Sequence, residues 1–170
     1  SGSISLEGEE LVGARTSRLR QIRGDTVAYV AQSAAASFNP AHRLIHQFSE
    51  APVQHGKMRQ EEAERRGVDL YGQLDLPEPE KIGRRFPHQV SGGQLQRAMT
   101  AMAMGCDPRL IIFDEPTTAL DVTTQIEVLS TIKEAVRARG ISAIYITHDL
   151  AVVAQVADRI MVLRHGELVE

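Results

Sequence analysis

Leu110-Ile111-Ile112-Phe113-Asp114-Glu115-Pro116 is the stretch on which the fold turns. Its four apolar residues, bounded by Pro108 and Pro116, suit a strand buried on both faces, as in a parallel sheet. Two adjacent carboxylates leave the end of that strand together. Downstream, Val122, Ile126, Leu129, Ile132 and Val136 recur at helical spacing and predict a buried stripe that ends before Gly140. Ile141 to Ile146 reads as a second buried strand and Leu150 to Val156 as a short helix. Ile160 to Leu163 reads as a strand that turns at His165-Gly166 into a last one. Strand, helix, strand, helix, strand in this order implies right-handed parallel crossovers and a three-layer α/β core.

Upstream, Ser91 is placed to cap a helix running from Gln94 to Met104, after a loop punctuated by Pro77, Pro79 and Pro87. From Pro40 to Leu76 the pattern is helical, with Leu44, Ile45 and Phe48 followed by a charged stretch. Thr26 to Val30 is a β-rich run leading to Gln32, and Thr16 to Arg23 is a brief helix stopped by Gly24. Near the start, Ser3 to Leu6 alternates and then turns at Glu7-Gly8-Glu9. Residues 40–105 therefore read as a helical subdomain inserted into a partial α/β core made of residues 1–39 and 106–170.

The 170 residues are 42% hydrophobic and 24% charged, which excludes a disordered or fibrous chain. No apolar run reaches the roughly 18 residues that cross a bilayer, and Ser1-Gly2-Ser3-Ile4 has no signal-peptide character. A formal charge of −3 gives no global attraction to nucleic acid. The clusters Arg15/Arg18/Arg20/Arg23 and Arg65/Arg66 are interleaved with acidic or apolar residues and read as solvated faces. Cys106 is the single cysteine, so it forms no intrachain disulfide and reads as a buried packing residue.

Ligands of open parallel sheets collect at the carboxyl ends of the strands, where Asp114-Glu115 and Thr147-His148-Asp149 stand. Adjacent carboxylates repel each other unless a cation or polar substrate offsets them. The pattern suits a magnesium-assisted phosphoryl reaction: one carboxylate holds the metal, the other polarises water, and a histidine meets the charge on phosphate. A purely structural alternative has Asp114 capping the turn at Pro116, Glu115 solvated and His148 capping the next helix. Ser91-Gly92-Gly93-Gln94 adds a glycine-rich turn opening a helix, whose free N–H groups offer an anion site.

In combination these residues resemble the nucleotide-binding subunits of ATP-binding cassette (ABC) transporters. Val90-Ser91-Gly92-Gly93-Gln94-Leu95-Gln96-Arg97 is similar to the family's signature motif, and Leu110 to Pro116 to its Walker B strand. Thr117-Thr118-Ala119-Leu120-Asp121 resembles the D-loop, Thr147-His148-Asp149 the switch-histidine segment, and Gln32 the Q-loop glutamine. Ser37-Phe38-Asn39-Pro40 and Phe86-Pro87-His88-Gln89 resemble the peptide-type importer branch, which handles oligopeptides, dipeptides, nickel and glutathione. Ser33-Ala34-Ala35-Ala36 departs from the acidic residue and proline more usual after that glutamine.

The resemblance implies a P-loop NTPase-like core with ATP and Mg²⁺ as cofactors. Glu115 would activate the attacking water and His148 would contact the γ-phosphate. Asp114 would hold Mg²⁺, largely through water, and Gln32 would reach the metal and the water while linking them to the membrane subunit. Ser91, Gly92 and Gly93, with Gln94 nearby, would bind the γ-phosphate of a nucleotide held by a second ABC ATPase subunit, identical or paralogous, and Asp121 would cross that interface. The helical segment would dock on integral membrane permease subunits at the cytoplasmic face, with a solute-binding protein delivering the cargo and no role for nucleic acid.

The family also uses a phosphate loop, G-x-x-x-x-G-K-[ST]. Of the three lysines, Lys57, Lys81 and Lys133, only Lys57 follows a glycine, and Ala51 and Met58 occupy the other two defining positions. These 170 residues thus contain no such loop and no upstream adenine-stacking aromatic. The expectation is an N-terminally truncated fold, a chain that is not a competent ATPase alone, and a C-terminal extension beyond Gly166-Glu167-Leu168-Val169-Glu170. Two other readings stand beside transport: a soluble ABC-type ATPase of DNA repair or translation, and a truncated, non-catalytic docking module. The single cysteine and short helical insert speak against the first, and the intact Glu115 and His148 against degeneration by drift.

Overall fold

A computed structural model describes residues 2–118 and 120–169; Ala119 of the D-loop-like run, together with Ser1 and Glu170, lies outside the described residues. The chain opens with a hairpin of β1 (Ser5–Leu6) and β2 (Glu9–Glu10), turning through Glu7 and Gly8, both at positive φ. Helix α1 (Thr16–Ile22) leads to strand β3 (Val27–Val30). A helical excursion follows: α2 (Ala34–Ser37), α3 (Leu44–Gln54), α4 (Gln60–Gln73), α5 (Pro79–Gly83), a 3₁₀ turn at Pro87–Gln89 and α6 (Gly92–Met104). The chain then returns as β4 (Leu110–Asp114), α7 (Val122–Ala138), β5 (Ser142–Ile146) and α8 (Leu150–Val156). A second hairpin, β6 (Leu163–Arg164) and β7 (Glu167–Leu168), turns at His165-Gly166 with both φ positive.

The three central strands form one parallel sheet in the order β3-β4-β5, with Tyr29 beside Ile112 and Ile112 beside Ile144. One face carries Ala28, Val30, Ile111 and Phe113, all buried against the helical excursion and α7. The same apolar cluster takes in Leu44, Phe48, Leu70, Tyr71, Leu95 and Met104, so helices and sheet share a continuous core. Phe113 stacks on Tyr145 with ring centroids 4.6 Å apart. Helices α3 and α4 cross closely at Gly67, where a Cβ would come within 2.5 Å of Ile45 Cδ1 and 2.7 Å of Phe48 Cδ1. Only a residue without a side chain allows that approach.

The opposite sheet face is open, and this corrects the expectation of strands buried on both faces. Leu110 and Ile112 are half-buried, while Tyr29, Ile144 and Ile146 are exposed. Of the three expected layers, the described residues supply the sheet and the helices on one side. Val122 and Ile126 are likewise exposed, because the first turns of α7 project beyond the region that covers Leu129, Ile132 and Val136. Ile160 to Val162 is exposed, and its strand shortens to Leu163–Arg164, paired only with β7. Val162 accepts from Val169 N at 2.9 Å, but Ile160 and Met161 lie outside any strand among the described residues.

Cys106 is buried, which pushes its thiol up to about 11 and keeps it an unreactive packing group. The three lysines are all engaged: Lys57 with Asp25 at 2.7 Å, Lys81 with Glu78, and Lys133 with the carbonyl of Gln155.

Candidate active site and signature turn

Strand β4 delivers Asp114 and Glu115 to the carboxyl end of the sheet, where the backbone changes direction. Glu115 has φ 45°, in the left-handed region, and its N–H donates to the carbonyl of Ile146 at 2.9 Å. This last rung holds the turn against β5 while the side chain swings off the strand axis. A non-glycine residue held in this conformation is strained, a condition that clusters at functional sites.

Three side chains converge on the Glu115 carboxylate. Gln32 Nε2, just after β3, donates to Oε2 at 3.0 Å, and Thr118 Oγ1 donates to the same oxygen at 3.0 Å. His148 Nδ1, just after β5, lies 2.8 Å from Oε1. The His148 contact, followed by the Thr118 bond, holds the Glu115 carboxyl below the usual carboxylate range. Glu115 is therefore an anion at neutral pH, three-quarters shielded from solvent, beside an imidazole that is 74% exposed. Asp114 is held separately, accepting from the Tyr29 hydroxyl at 2.5 Å.

The structural alternatives for these residues do not hold. The cap of α8 is Asp149, which accepts from Ala151 N at 2.8 Å, and His148 is left to face Glu115. Asp114 bonds across to β3, and Glu115 is bound on both oxygens.

Ser91 and Gln94 form a reciprocal capping box at the start of α6: Ser91 Oγ accepts from Gln94 N at 3.3 Å, and Gln94 Oε1 accepts from Ser91 N at 3.0 Å. Ser91 and Gly92 are exposed, whereas Gly93 is buried against α7. A Cβ on Gly93 would lie 2.7 Å from Thr124 Cγ2. Asp121 caps α7, accepting from Thr124 N at 3.0 Å and Thr124 Oγ1 at 2.7 Å, and these bonds lower its pKa. Among the described residues no hydrogen bond joins Ser91, Gly92, Gly93, Gln94 or Asp121 to Gln32, Asp114, Glu115 or His148. The candidate residues thus form two groups: a carboxylate cluster at the sheet end, and an exposed helix N-terminus beside the start of α7.

Two participants were not evident in sequence. Thr118 was legible only as part of the D-loop-like run, and its signal is a hydroxyl three residues after Glu115, within reach across a turn. Tyr29 could be placed opposite Asp114 only once strand register was known.

A family model described as ABC transporter matches residues 1–118. The chain belongs to the ABC transporter family. Over 169 residues it is 41% identical to the probable D,D-dipeptide transport ATP-binding protein DdpD of Escherichia coli K12, covering 99% of this chain and 52% of that protein. Identity is also 41% to the oligopeptide transport ATP-binding protein OppD of Bacillus subtilis 168, over 99% of this chain and 47% of that protein. The chain spans about half the length of these curated relatives. Its structure superposes on the dimeric ATP-binding cassette MJ0796, in a post-hydrolysis state bound to ADP and Pi, with a TM-score of 0.84 and 27% identity, covering 100% of this chain and 72% of that one. The open-faced α/β sheet and its helical excursion are therefore an ABC cassette fold.

Among the described residues no helix is long and apolar enough to cross a membrane. Nor do three or more His, Cys, Asp or Glu side chains gather to cage a metal. The hard oxygens of Asp114 and Gln32 nonetheless fit Mg²⁺, which keeps several waters and takes only one or two protein ligands beside nucleotide phosphates.

Proposed function

We propose that this chain is the water-activating part of an ATP-binding subunit of an ABC importer, which couples MgATP binding and hydrolysis to solute uptake, with peptides as the cargo class. The observation that carries this reading is the convergence of Gln32, Thr118 and His148 on the Glu115 carboxylate. The dipeptide and oligopeptide transport names of its relatives support the cargo class.

In this reading Glu115, ionised and fixed on both oxygens, orients a water for attack on the γ-phosphate and takes up its proton. His148, exposed beside it, meets the γ-phosphate and keeps the carboxylate in place. Asp114, largely through water, and Gln32 would hold Mg²⁺, which would offset charge on the phosphate oxygens. Gln32 thereby connects the metal side to the water side, since its amide already reaches Glu115.

Ser91, Gly92 and Gly93, with Gln94 nearby, serve the γ-phosphate of a nucleotide on a second, opposed ATPase subunit, and Asp121 lies at that boundary. The separation of the two residue groups supports this division, as does the dimeric state of MJ0796. Residues from about 40 to 88 engage permease subunits from the cytoplasmic side, with the protein peripheral to the membrane. A solute-binding protein supplies the peptide.

The test is Glu115→Gln in the whole protein assembled with its partners. Turnover is expected to fall by about 10²-fold or more, the usual range for loss of a general base, while ATP binding persists. Undiminished turnover would overturn the assignment.

A further inference from the structure

Strand β3 and the residues just after it hold both acidic side chains at the end of β4. Gln32 donates to Glu115, and Tyr29, three residues earlier, donates to Asp114 at 2.5 Å. Tyr29 sits opposite Ile112 in the register, with Asp114 two residues further along the same sheet face. Its ring lies on the open sheet face, 57% exposed. What the ring provides is reach: it lies along the open face and carries a hydroxyl to the carboxylate.

We infer that Tyr29 is a positioning residue for Asp114, fixing that carboxylate for Mg²⁺ by occupying Oδ2 and presenting Oδ1. This rests on the reading of Asp114 as a Mg²⁺ ligand. Without the Tyr29 bond the Asp114 carboxylate could rotate about its own side-chain torsions. A hydrogen bond from a side chain with only two rotatable torsions removes that freedom. Partners that orient a metal ligand in this way are commonly worth 10–100-fold in metal affinity. Tyr29 on β3 and Gln32 just after it thus give each of the two carboxylates one partner from the same stretch of chain.

The experiment uses Tyr29→Phe in the whole assembled protein, which keeps the ring and removes only the hydroxyl. Mn²⁺ binding in the presence of ATP is followed by electron paramagnetic resonance, and the Mg²⁺ dependence of turnover is measured in parallel. The half-saturating metal concentration is expected to rise about tenfold, with turnover at saturating Mg²⁺ within about twofold of the parent. ATP binding in EDTA is expected to stay unchanged. An unaltered metal dependence in Tyr29→Phe, alongside a weakened one in Asp114→Asn, would overturn the role of Tyr29 alone. An unaltered dependence in both variants would overturn the reading of Asp114 itself.

Discussion

Backbone and side-chain constraints meet at Glu115. Its left-handed φ turns the carboxylate out of the strand, Gln32 and Thr118 donate to one oxygen while His148 lies against the other, and the His148 and Thr118 contacts lower its pKa. A depressed carboxyl pKa keeps the anion present at neutral pH and loses it only as pH falls through the folded value. Removing one donor should raise that value. Thr118→Val is therefore expected to move the acid limb of the pH–rate profile of the whole protein to higher pH, while the alkaline side stays in place. At this scale the sequence disclosed the residues that stand at strand ends, Gln32, Glu115 and His148. It did not disclose Thr118 or Tyr29 as partners, because one depends on the shape of a turn and the other on the pairing of two strands 85 residues apart.

Elements declare their type more readily than their neighbours. The helix from Leu150 to Val156, the Ser91 cap and the two Gly-containing hairpin turns appear where residue type dictates them. Strand burial is not legible in sequence, because an apolar run such as Ile141 to Ile146 reports its own hydrophobicity and not what covers it. Val122 and Ile126 have the right helical spacing yet stand beyond the sheet that buries the later turns. The crossing of α3 and α4 gives a sharp test of packing. Alanine in place of Gly67 would gain about 1 kcal/mol in helix propensity. Its Cβ would also stand 2.5 Å from Ile45 Cδ1, and overpacking of this kind costs about 1–3 kcal/mol. Overpacking should outweigh propensity, so Gly67→Ala is expected to lower the urea midpoint of unfolding.

Across the whole molecule, sheet and helical excursion share one apolar core, while the candidate site residues fall into two groups, at the sheet end and at the start of α6. No lysine is placed to meet phosphate: Lys57, Lys81 and Lys133 each have a partner elsewhere, and no phosphate-loop sequence occurs in the 170 residues. The 170-residue chain alone is therefore expected to show no micromolar MgATP affinity by isothermal titration. A micromolar dissociation constant would show that Glu115, His148 and the Ser91 turn suffice without that loop.

The sheet order also sets a sequence of events in folding. His148 and Glu115 are 33 residues apart, joined through α7, whereas Gln32 and Glu115 are 83 apart, with the whole helical excursion between them. Closing the longer loop costs more chain entropy. Pairing of β4 with β5 is thus favoured early and arrival of β3 late. The donor that completes the carboxylate cluster is then the last to arrive, so a chain that has closed only its local contacts carries Glu115 without its full set of bonds.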